Sequence, residues 1–178
     1  MQRDANEVFA ELRSIRDNFL AVLDEFGTDK AEQNVDGEGW TIAQTAMHVA
    51  TVESGIIRIC AKLLGNAEAE GSPSDGGKIT LSDDFLRHAE DIKTEKLDAP
   101  ERVQPTADVR LKDAVSAVNA NADMLDALLP KFIEFDSAAG TFPHPYLGGL
   151  TAAEWLSLSG DHIVRHLKQI DRIGSKLT

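Results

Sequence analysis

The chain has 178 residues, 42% hydrophobic and 27% charged, with a formal net charge of -12 at pH 7, which fits one globular domain over residues 1–178. So acidic a chain excludes nucleic acid and anionic membrane surfaces as expected partners, because both need concentrated Lys and Arg. No run approaches the ~20 apolar residues of a membrane span, the N-terminus has no apolar signal region, and the single cysteine, Cys60, allows no internal disulfide, so the cytoplasm is the expected compartment.

From about Asp4 to Phe26, Val8, Leu12, Ile15, Phe19, Val22, Leu23 and Phe26 recur at helical period and predict a first helix that Gly27 terminates. A polar, turn-rich stretch follows to Gly39. Trp40 opens a second helix, with Thr41 and Gln44 in capping-box spacing. Its stripe (Ile42, Ala46, Val49, Val52, Ile56, Ile59, Leu63) runs to about Leu64, and Gly65 is the expected stop. Residues 66–106 are the least regular part, with a loop at 71–77 and a shorter helix from Ser82 to about Lys96. A connection of about 40 residues is long enough to cross a bundle and let neighbouring helices run parallel. Asp108 to Leu129 reads as the third long helix, ended by Pro130, and Phe132 to Gly149 as a loop. The fourth helix spans Thr151 to about Ile173, with Thr151 and Glu154 as its capping box. Four long amphipathic segments and no convincing strand predict an all-α four-helix bundle.

The fourth helix carries His162 and His166, four residues apart and therefore on one face. On a helical wheel they fall beside Trp155, Leu158 and Ile173, on the core-facing stripe. Inward imidazoles need polar partners, and a divalent ion satisfies both. With His48, near the edge of the second helix's stripe, they could form a three-nitrogen site open at a further position. Imidazole suits Zn, Ni, Cu or Fe. Spacing alone leaves a second reading open, in which the histidines only bond neighbouring side chains. The glutamate of a metalloprotease H-E-x2-H is absent, because Ile163, Val164 and Arg165 intervene. Glu-x2-His on paired helices is absent too, which argues against a carboxylate-bridged dimetal site.

Gln44 could orient His48 from one turn away, but the cap on Thr41 is favoured. Arg165 could hold a substrate carboxylate, with an ion pair preferred. His144 could reach the site mouth or fix its own loop. Asp161 and His88 read as solvated. Cys60 lies about 18 Å along the helix from His48, too far to share an ion, and reads as a core thiol. Trp40 and Trp155 read as packing residues.

Two stretches resemble a known family. Gly39-Trp40-Thr41-Ile42-Ala43-Gln44-Thr45-Ala46-Met47-His48 is similar to the W-[ST]-x2-[EQ]-x3-H pattern of the DinB/YfiT-like superfamily of metalloenzymes. His144-Pro145-x-Leu147-Gly148-x-Leu150-Thr151-x3-Trp155, continuing into His162-x2-Arg165-His166-x2-Gln169-Ile170, is similar to its second pattern. The resemblance implies an up-down-down-up bundle, a divalent metal on His48, His162 and His166, and frequent homodimers. It also implies metal-dependent transfer of low-molecular-weight thiols (bacillithiol, mycothiol or glutathione) or thiol-dependent isomerisation. The leading expectation is therefore a Zn- or Ni-dependent enzyme moving such a thiol onto a small electrophilic substrate. The alternatives are metal-dependent hydrolysis of a small substrate and a non-catalytic, metal-binding stress-response bundle whose partner is a protein. No basic cluster marks a particular anionic cofactor.

Overall fold

The computed structural model describes residues 1–92 and 98–177. A short strand β1 (Gln2–Asp4) leads into α1 (Ala5–Ala31), where the Asp4 side chain accepts from the Asn6 amide as N-cap. Gly27, at φ 65 and ψ 170, breaks the helical path where the sequence placed the stop, and the chain resumes helical geometry to Ala31. Helix α2 (Ile42–Glu70) begins on the Thr41–Gln44 capping box. It runs through Gly65 and ends at Gly71, whose left-handed conformation (φ 66) closes the last turn. The expected stop at Gly65 is thus corrected. One glycine costs a helix only about 1 kcal/mol, and Leu63, Leu64 and Ala67 keep that turn buried.

Strand β2 (Lys78–Thr80) pairs antiparallel with β1, with Arg3 opposite Ile79. Helix α3 (Asp83–Ile92) forms as expected, while its anticipated end near Lys96 lies outside the described residues. A 3-10 turn at Glu101–Val103 precedes α4 (Leu111–Asp126). Pro130 does not simply end the third helix. It sits in the first turn of a separate short helix, α5 (Leu129–Glu134), where a missing amide proton costs nothing. The expected loop after it holds a hairpin, β3 (Phe142–His144) against β4 (Gly148–Leu150). These two-stranded ribbons correct the expectation of no strands, because three-residue strands are too short to show alternation. Helix α6 (Ala152–Gly174) starts on the Thr151–Glu154 capping box. Among the described residues no helix is long and apolar enough to cross a membrane.

Helix α2 packs against both α4 and α6, and α1 covers α4 and α6. The core is two apolar clusters. One gathers Phe9, Leu12, Ile56, Leu125, Phe132 and Leu156, the other Phe19, Val49, Val118, Ile163 and Ile170. Between them in sequence, each long helix buries a polar side chain: Arg16, Glu53, Asn121 and Ser159. Arg16 pairs with Glu53 and donates to the Val118 carbonyl at 2.7 Å, and Asn121 donates to Glu53 at 3.0 Å and to the Ala50 carbonyl at 2.9 Å. This polar layer ties α1, α2 and α4 together one turn from His48.

Candidate metal centre

Helices α2 and α6 bring the three histidines together. His48 and His166 are buried and His162 half-buried, and one ligand atom from each lies within 4.8 Å of the others. His48 Nε2 is 3.2 Å from His162 Nε2, and His166 Nε2 is 3.2 Å from the same atom. Two of the rings are oriented from behind. His48 Nδ1 lies 2.8 Å from the Val103 carbonyl, which only accepts, so Nδ1 carries the proton and Nε2 the lone pair. His166 Nδ1 lies 2.8 Å from Gln169 Oε1. Trp40 packs its ring 4.8 Å from that of His48.

The cluster holds too few protons for its contacts. With His48 and His166 protonated on Nδ1, only His162 can supply a proton to the cluster, and it has one to share between two contacts. One of the two Nε2 lone pairs, on His48 or on His166, is left without a proton, an arrangement that a cation relieves. The two separations to His162 Nε2, 3.2 Å each, agree as well, because nitrogens at 2.0–2.1 Å on a tetrahedral Zn ion are about 3.3–3.4 Å apart. The three side chains could therefore hold a metal ion.

Electrostatics point the same way. Burial holds His162 well below its ordinary value, with the neighbouring His166 and His48 adding to the shift. Burial lowers His166 to about 4, against the opposing bond to Gln169. His48 is lowered by burial and partly restored by its bond to Val103. The rings are thus neutral at pH 7, the form in which imidazole binds a metal.

The remaining expected residues occupy varied places. Gln44 caps α2 and donates to the Thr106 carbonyl at 2.9 Å, so it ties down the segment that carries Val103 and does not itself bond His48. His144 Nδ1 accepts from the Tyr146 and Leu147 amides, each at 3.2 Å, which fixes the loop. Its ring also lies 5.1 Å from that of Trp155, and burial lowers it below the ordinary imidazole value. Arg165 is half-buried, and its charge acts on both His162 and His166. Cys60 is a buried core thiol raised by burial to about 12. His88 is exposed as expected, whereas Asp161 is half-buried on the flank of α6. Thr45, Gln169 and the Val103 carbonyl were not foreseen as supports. Gln169 had a signal in its i, i+3 spacing from His166, but Val103 had none. Two hollows, lined by Gln33–Asp36 with Lys176 and by Arg13, Arg16 and Asp126, include none of the histidines.

The sequence of residues 11–170 matches the DinB superfamily. The chain belongs to the DinB superfamily. No curated protein matches it. Among solved structures it is similar to that of TT2238, a four-helix bundle protein, with TM-score 0.62 and 22% identity over 94% of this chain and 98% of that one. At that identity the likeness establishes the four-helix bundle alone. The DinB match spans His48, His162 and His166 together, so all three lie within the family's own domain.

Proposed function

We propose that this DinB-superfamily chain holds one divalent ion, Zn or Ni, on Nε2 of His48, His162 and His166, and is a metal-dependent enzyme that transfers a low-molecular-weight thiol to a small electrophile. The observation that carries the metal reading is the convergence of three Nε2 atoms, 3.2 Å apart along the chain of contacts, with too few protons to satisfy them. When bound, an ion with three nitrogen ligands and an open position lowers the pKa of a thiol and makes it nucleophilic at neutral pH. The chain's own groups do the rest. His48 and His166 are oriented on facing helices by the Val103 carbonyl and Gln169, and Arg165 places positive charge near His162 and His166. In the transfer a sulfur–carbon bond forms, the leaving group departs with its electron pair, and the thiol proton passes to solvent.

Elemental mass spectrometry on untagged protein is the first test, followed by thiol consumption with alkyl halides and epoxides. We expect about one Zn or Ni per chain, lost on His162→Ala, and product only when thiol is present. Stoichiometric metal retained by the triple alanine variant of His48, His162 and His166 would overturn the site. Product formed without thiol would replace transfer by hydrolysis, and full metal with no turnover would leave a non-catalytic metal-binding bundle.

A further inference from the structure

Two side chains behind the cluster, Thr45 and Gln169, stand in an order that fixes the direction of every proton between them. Thr45 Oγ1 donates to the Thr41 carbonyl at 2.9 Å, one turn back along α2. That carbonyl cannot donate, so the single hydroxyl proton is committed and the Thr45 oxygen faces α6 as an acceptor. Gln169 Nε2 lies 3.5 Å from it. The contact is long for a hydrogen bond, so it works by orientation more than by energy: turning the amide over would set Gln169 Oε1 against an oxygen with no proton to give. With Nε2 toward Thr45, Oε1 faces His166 Nδ1 at 2.8 Å and can only accept. His166 must then carry its proton on Nδ1, which leaves its Nε2 lone pair pointing at His162 Nε2.

We infer that Thr45 and Gln169 are positioning residues, a relay from the α2 backbone to α6 that sets His166 in the metal-binding tautomer before any ion arrives. The inference rests on the three-histidine reading above and adds to it. On α2, the Val103 carbonyl does the same for His48 directly. His162 is then the ligand without such an anchor among the described hydrogen bonds. A site with two pre-set rings and one adaptable ring loses little freedom when it takes up an ion.

The test compares isosteric and acceptor-keeping variants of the full chain. Zn affinity is measured by competition with a chelator, and the His166 tautomer by nitrogen-15 NMR of the metal-free protein. Gln169→Leu removes the acceptor and should weaken Zn binding roughly 10- to 100-fold. Gln169→Glu keeps an acceptor toward Nδ1 and should stay within a few-fold of wild type. Thr45→Val should weaken binding and Thr45→Ser restore it. In the wild-type metal-free protein, His166 should be the Nδ1–H tautomer. Equal losses in Gln169→Leu and Gln169→Glu, unchanged affinity in Gln169→Leu, or a His166 proton on Nε2 would each overturn the relay. Should Gln169→Leu fail to fold, the Thr45 pair and the wild-type tautomer still decide. A wild-type chain that binds no Zn at all refutes the metal reading, whereas wild-type binding matched by Gln169→Leu refutes the relay alone.

Discussion

At the scale of single residues, the least replaceable group outside the histidines is Glu53. It is 2% exposed, paired with Arg16 and bonded by Asn121 at the middle of the bundle. Truncating it leaves a buried guanidinium whose remaining hydrogen bond among the described residues is to the Val118 carbonyl. Glu53→Ala should therefore cost about 3–5 kcal/mol in urea unfolding. The double replacement Arg16→Met, Glu53→Leu should recover most of that, because desolvating the pair offsets much of its attraction. A double variant as unstable as Glu53→Ala would show instead that the ion pair itself stabilises the bundle. Sequence reading was strong for the three histidines and weak for what surrounds them, for a physical reason. Helical spacing puts His162 beside His166 and the stripe turns His48 inward. But the acceptor for His48 lies 55 residues away at Val103, and Gln169 reaches 124 residues back to Thr45. Such partners are set by packing, and a backbone carbonyl leaves no trace in side-chain identity.

At the scale of elements, capping boxes and apolar stripes were legible because they are local. Thr41 with Gln44 and Thr151 with Glu154 start their helices where the sequence placed them. Ends were harder to read. A glycine stops a helix only when the chain also needs the left-handed conformation there, and that depends on where the chain must go next. Gly65 stays inside α2, while Gly71 closes it at φ 66. The two should respond oppositely to alanine. A Cβ at Gly65 meets nothing within 4 Å, so Gly65→Ala should stabilise by about 0.5–1 kcal/mol through lower unfolded-state freedom. Gly71→Ala should destabilise by about 1 kcal/mol, because an alanine is strained at that φ. Thermal unfolding of the pair reads the difference directly, and a shift of the same sign in both would refute this account of the helix end. The hairpin at Phe142–Leu150 and the β1–β2 ribbon escaped the sequence for a related reason: three residues per strand give alternation no room to register.

For the whole molecule, acid should separate two sources of stability. Glu38 joins the α1–α2 connection to the end of α6 through Arg172 and Lys176, whose bonds hold its carboxylate down to about 2. A depressed carboxylate stabilises the fold above its unfolded value near 4.5 and loses that contribution as pH falls toward 2. The histidines act earlier. In the unfolded chain they take protons near 6.5, but folded His166 resists to about 4, and His48 and His162 are also lowered, His162 the more strongly. Between those values the unfolded chain binds more protons, so metal-free stability falls as pH drops from 6.5. Each histidine contributes a slope approaching about 1.4 kcal/mol per pH unit. The net charge of -12 works the other way, since protonating carboxylates relieves self-repulsion as the solution turns acid. The raw curve therefore mixes opposing trends, and the informative quantity is the difference between variant and wild type in chelator. His166→Gln should flatten the dependence between pH 6.5 and 4 and leave the region below unchanged. Glu38→Gln should flatten only the region below 4.5. Adding Zn at pH 7 should raise the melting temperature of the wild type and not that of His166→Gln, because an ion that binds only the folded cluster stabilises it by mass action. A His166→Gln curve parallel to wild type from pH 6.5 to 4 would mean that the cluster carries its protons in the folded state, and the converging lone pairs on which the metal site rests would not exist.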